Sequence, residues 1–171
     1  MKFVPILMAL CLASAETRVN RASLVEIEGR LNDTFRTAAT DPYDLLGTAR
    51  GTYIEGYGAL FTVGLNLVYV TQMSPFRPAM TKDEIEKVHE RKLRKLAVLR
   101  EQLKQQMLNA SVNLGSMPGR ERITMEAFLW NYNWETTAGL PHRITLSAER
   151  QRLIEAKASK APLDFIEEQQ L

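Results

Sequence analysis

The sequence predicts an α+β fold: a four-stranded sheet, largely antiparallel or mixed, made of two hairpin-like strand pairs, with helices mainly on one face and one long helix between the pairs. Three observations carry this. From Arg50 to Tyr69 the apolar residues Tyr53, Tyr57, Ala59, Phe61, Val63, Leu65, Leu67 and Tyr69 fall on one parity, the alternation of a strand. From Thr81 to about Asn109 the apolar residues recur at helical spacing. Two further short alternating runs, Arg122 to Trp130 and His142 to Leu146, then supply a second strand pair. Helix, two strands, long helix, two strands and helix, in that order, most simply give helices on one face of a sheet.

The first element in the chain is an export signal rather than part of the fold. Lys2 is followed by an apolar run from Phe3 to Ala13. Ala13 and Ala15 are small residues at the two positions a signal peptidase reads, so cleavage is expected before Glu16. The run is well short of the roughly 20 residues of a spanning helix, so no integral membrane span is expected after cleavage. The mature chain, 16–171, is expected to be one exported domain, periplasmic or extracellular, with a frayed C-terminal tail. Cys11, the single cysteine in 171 residues, lies inside the signal, which leaves the mature chain without a disulfide, thiolate ligand or thiol nucleophile. Its stability must come from its core.

The first helix is expected from Ser23 to Ala38, where Ser23 and Glu26 stand in the capping-box relation and Leu24, Ile27, Leu31 and Phe35 form one stripe. Gly29 inside it costs about 1 kcal/mol against alanine, which implies that packing retains it. Asp41-Pro42 ends the helix. The next stretch reads as a hairpin turning at Glu55-Gly56-Tyr57-Gly58, with glycine first in a type II′ turn, or as one long strand bent at Gly56 and Gly58. The hairpin is the expectation, because about 20 residues far exceeds the usual strand length of about 5–6. Pro75 and Pro78 make Thr71 to Ala79 a loop.

Thr81 and Glu84 open the long helix with a second capping box, and its stripe is Ile85, Val88, Leu96, Leu99, Leu103 and Met107. Burying those six contributes roughly 10 kcal/mol before entropy, an upper estimate. Lys92 interrupts the stripe, so the first turns are expected to be held less firmly. The basic residues Lys87, Arg91, Lys92, Arg94 and Lys95 alternate with acids, and Asp83 with Lys87 and Glu90 with Arg94 are at the spacing of a solvated helix face. Gly115, Pro118 and Gly119 break the chain before the second strand pair. Ser147 is expected to cap a last helix reaching about Ala158.

The formal net charge of +2, with both signs mixed along the chain, gives no electrostatic footprint for nucleic acid. Chemistry has few candidates. His89 lacks the partner histidine four residues on that a zinc-protease helix needs, and His142 has no cysteine to join it. Ser111, Ser116 and Ser147 lack the glycine-flanked turn of a nucleophilic serine, and Gly56-Tyr57-Gly58 leads into a strand rather than a helix that holds phosphate. No cofactor, metal or catalytic residue is therefore assigned. Asn32-Asp33-Thr34 and Asn109-Ala110-Ser111 match glycosylation sequons, which matter only on a eukaryotic secretory route.

Two alternatives remain beside a pure binding role. One is a small hydrolase using carboxylates from Glu55, Glu126 and Glu135. The other is an envelope protein that assembles through a strand edge. The leading expectation is an exported, non-enzymatic domain that binds a partner protein or a cell-envelope component. Its candidate site is Trp130, Tyr132, Asn133, Trp134 and Glu135, where both tryptophans, a tyrosine and asparagine amides leave a strand for a loop. The competing role for this stretch is a lid, with Trp134 folded back on the core.

Overall fold

The computed structural model describes residues 19–37, 41–69 and 80–171. The cleavage site, the loop at 71–79 and the expected end of the first helix at Ala38 lie outside those residues. The described elements run α1 (Arg21–Arg36), β1 (Asp44–Leu45), β2 (Arg50–Ile54), β3 (Gly58–Asn66), α2 (Lys82–Asn113), β4 (Arg122–Leu129), β5 (Arg143–Glu149), α3 (Arg150–Ser159) and β6 (Glu167–Gln170). The fold is α+β, as expected, but the mixed sheet has six strands, not four.

The sheet's spine is β3. Its one edge takes β1 at Leu65–Asn66 and β2 at Gly58–Thr62, both antiparallel, and its other edge takes β4 in parallel. A parallel neighbour requires a crossover, and α2 supplies it. From β4 the sheet continues antiparallel through β5 to β6. Strand alternation then sorts the side chains. Ala59, Phe61, Val63 and Leu65 on β3, Ile123, Met125, Ala127 and Leu129 on β4, and Ile144, Leu146 and Ala148 on β5 form the buried face. Leu24, Ile27, Leu31 and Phe35 of α1, Leu96, Leu99, Leu103 and Met107 of α2, and Leu153 of α3 close the same core.

The hairpin forms, but its turn sits one residue earlier than the type II′ expectation. Tyr57 N donates to Ile54 O at 3.1 Å, so Glu55 and Gly56 are the central residues. Gly56 takes φ of +79° at the second central position, where a type II turn requires glycine. Gly58 is needed for a different reason. A Cβ there would lie 1.9 Å from Arg122 O, because β3 and β4 start side by side at that point.

Several expected boundaries shift for local reasons. The cap of α1 is Asn20, whose Oδ1 accepts from Ala22 N at 3.0 Å, rather than Ser23. A Cβ on Gly29 would meet nothing within 4 Å, so packing does not retain this glycine. The Thr81–Glu84 capping box is present, and α2 runs on to Asn113. Ser147 is a strand residue, not a cap, and its Oγ meets Arg122 Nε at 2.8 Å and Thr124 Oγ1 at 2.9 Å. The tail past Glu167 is not frayed but pairs with β5 as β6. Two residues of the supposedly solvated basic run, Lys92 and Lys95, are buried. Lys95 reaches Asp41 Oδ1 at 3.0 Å and the carbonyls of Asp41 and Pro42, fastening the chain after α1 onto the crossover helix.

Candidate functional site

The parallel pairing of β3 and β4 continues one residue past β4, where Trp130 N donates to Leu65 O at 2.9 Å. This extended backbone separates two neighbours. By alternation Trp130 follows Phe128 to the helix-free side and is 57% exposed. Asn131 turns the other way, beneath α2, where its Oδ1 accepts from Lys92 Nζ at 2.9 Å.

Residues 132–135 then fold into a turn closed by Glu135 N donating to Tyr132 O at 3.0 Å. The Glu135 carboxylate props this turn from inside: Oε2 accepts from Tyr132 N at 3.0 Å and pairs with the Lys92 ammonium. Both side chains of that ion pair are almost wholly buried, at 1% and 2% exposure. Burial pushes the Lys92 ammonium below its usual value, and the Glu135 carboxylate opposes that shift. The lysine that interrupts the apolar stripe is thus the anchor of the candidate loop.

Above the anchor, Tyr132 and Trp134 stack with ring centroids 5.6 Å apart and planes 7° from parallel. Burial, then the carboxylates of Asp44 and Glu135, hold the Tyr132 phenol above its usual value. Trp134 is half-buried and absent from the core cluster, so it does not act as a lid on it. It forms one wall of a cleft of about 430 Å³ between the first turns of α2 and the loop, lined also by Lys82, Ile85, Glu86, His89 and Thr136. His89 on α2 reaches across to the loop, with Nδ1 2.8 Å from Thr136 O. A carbonyl only accepts, so Nδ1 carries the proton of this bond.

The structure therefore gathers Tyr132, Trp134 and Glu135 into one built unit, leaves Asn133 exposed at the turn's tip, and sends Trp130 to another surface. Sequence reasoning missed Lys92 and His89. Their signal was phase: Lys92 lies four residues from both Val88 and Leu96, and His89 lies four residues from Ile85.

The three carboxylates weighed for catalysis occupy separate places. Glu55 is exposed in the hairpin turn, Glu126 on the helix-free face pairs with Arg143 at 3.3 Å, and Glu135 is held by Lys92. Glu55 and Glu135 lie beyond opposite ends of the eight-residue β4, roughly 25 Å apart. His142 is exposed ahead of β5, and Ser111 is buried with its Oγ donating to Leu108 O at 2.8 Å. A larger cleft of about 520 Å³ lies between α2 and the segment after α3. Among the described residues it has no aromatic lining, and its Lys104 and Lys157 are engaged by Glu101 and Asn109.

Among the described residues no cluster of three or more histidines, cysteines, aspartates or glutamates is placed to hold a metal ion, and no helix is long and apolar enough to cross a membrane. Comparison with protein families, curated proteins and solved structures gives no match, so the functional reading rests on the geometry of this chain alone.

Proposed function

We propose that the chain is a small exported, non-enzymatic domain that binds a partner protein or cell-envelope component through the Tyr132–Trp134 turn and its cleft. The observation that carries this is the buried Lys92–Glu135 pair beneath an aromatic stack that itself borders open space. Two buried charges are a costly way to hold a surface loop unless the loop's shape matters. A loop fixed before binding loses little entropy on binding, which favours affinity. The apolar run ending in Ala13-Ser14-Ala15 supports the exported setting.

The test is retention of envelope proteins and glycans on immobilised mature chain, comparing the parent with Trp134→Ala. The expected result is a variant that unfolds within about 2 kcal/mol of the parent and retains none of the parent's specific fraction, since Trp134 is only half-buried. A loss of about 3–5 kcal/mol, as for a fully buried tryptophan, or equal retention by both chains, overturns the assignment.

A further inference from the structure

We infer that the cleft beside Trp134 takes a neutral saccharide unit of an envelope glycan, stacked on the indole; this rests on the binding role proposed above and names its ligand. The first ground is shape. Tyr132 stacks on one face of Trp134, and of the two rings it is Trp134 that lines the cleft. A flat aromatic surface held in place from behind suits the apolar face of a sugar ring. At about 430 Å³ the opening lies at the small end of ligand sites, sized for one or two rings rather than a folded partner.

The second ground is the polar lining. A sugar hydroxyl both donates and accepts, and neighbouring hydroxyls need partners of both kinds. The cleft offers the Lys82 ammonium as a donor, the Glu86 carboxylate as an acceptor, and the Thr136 hydroxyl as either. The third ground excludes rivals. Among the described residues Ile85 is the only aliphatic side chain lining the cleft, which serves the apolar anchors of a docked peptide poorly. Lys82 and Glu86 stand one turn apart on the same helix with opposite charges, so neither a phosphate-rich nor a polycationic ligand is favoured there.

The experiment uses the mature chain carrying Trp130→Phe, which leaves Trp134 as the sole indole. It is titrated with a β-1,4-linked N-acetylglucosamine tetramer, a β-1,4-linked glucose tetramer and a tetra-alanine peptide, with tryptophan fluorescence as the signal. A saturable shift with at least one sugar and none with the peptide is expected, weakened at least tenfold by Glu86→Ala. Glu86 is exposed at its helix position, so this variant keeps the fold. No response to either sugar, with retention still dependent on Trp134, overturns the saccharide and leaves the binding role standing. No response and no dependence on Trp134 overturns both. A sugar response unchanged in Glu86→Ala and Lys82→Ala overturns the assignment to this cleft.

Discussion

Lys92 shows how one side chain links the core to the candidate site. It stands in α2's apolar phase, so folding carries its ammonium under the 130–135 loop, where Glu135, Asn131 and the Trp130 carbonyl receive it. Removing one partner strands the other charge in low dielectric. Lys92→Met is therefore expected to lower the urea-unfolding free energy by about 3–5 kcal/mol, and the double change Lys92→Leu with Glu135→Leu to recover most of that loss. A neutral Lys92→Met would remove the pair as anchor. Asp41 gives a second prediction at this scale. The hydrogen bond from Arg91, aided by Lys95, holds its carboxyl below the ordinary 3.8, while burial works against them. The unfolded chain therefore takes up this proton first as acid is added. Stability from the folded carboxylate is complete above the unfolded value and is lost as pH falls through the folded one. Urea midpoints below about pH 4 should fall more steeply for the parent than for Asp41→Asn. Equal slopes would mean that the two cations do not favour the folded carboxylate.

At the scale of elements, the hairpin separates two uses of glycine. Gly56 needs only a backbone conformation, with open space where a side chain would project, so Gly56→Val should cost about 1–3 kcal/mol. Gly58 combines φ of +134° with the backbone of Arg122 against its Cβ position, so even Gly58→Ala should exceed about 3 kcal/mol and separate the starts of β3 and β4. Thermal melts showing Gly58→Ala no worse than Gly56→Val would contradict this. The same contrast marks what the sequence discloses. The α2 start was legible because Thr81 and Glu84 cap locally, and β3, β4 and β5 because Val63, Met125 and Leu146 alternate with polar or glycine neighbours. The parallel pairing of β3 with β4 was not, since it depends on α2 returning the chain and no residue encodes that. Glu167-Glu168-Gln169-Gln170 has no apolar alternation and becomes a strand only because β5 offers it an edge. Tyr132, Trp134 and Glu135 were visible by composition, whereas the lysine beneath them was read as a flaw in a stripe.

For the molecule as a whole, the sheet has one helix-covered face and two edges, and an unprotected edge invites pairing with another chain. The inner side of β2 meets β3, and the start of its outer side is met by α1 at Ala49 and Gly51. Gly51 N donates to Glu28 Oε1 at 2.7 Å, Gly51 O accepts from Arg21 Nη1 at 2.7 Å, and Ala49 N donates to Asn32 Oδ1 at 2.8 Å. Glu28 and Arg21 also pair with each other at 2.8 Å, so one ion pair satisfies both main-chain groups of Gly51. The opposite edge, β6, has only four residues, and its Glu168 and Glu167 are tied to Arg100 and Arg122. Short, charged edges resist pairing. Loss of the α1 contacts should then act twice. In Arg21→Ala with Glu28→Ala the buried Gly51 N–H loses its acceptor, which should cost about 1–3 kcal/mol, and the outer side of β2 becomes a template for a second strand. Sedimentation of parent and double variant across a range of concentrations distinguishes these effects. A variant that is destabilised yet keeps the parent's sedimentation coefficient at every concentration would show that α1 satisfies Gly51 without guarding the edge. A variant that grows heavier with concentration while the parent does not would identify the Arg21–Glu28 pair as the guard.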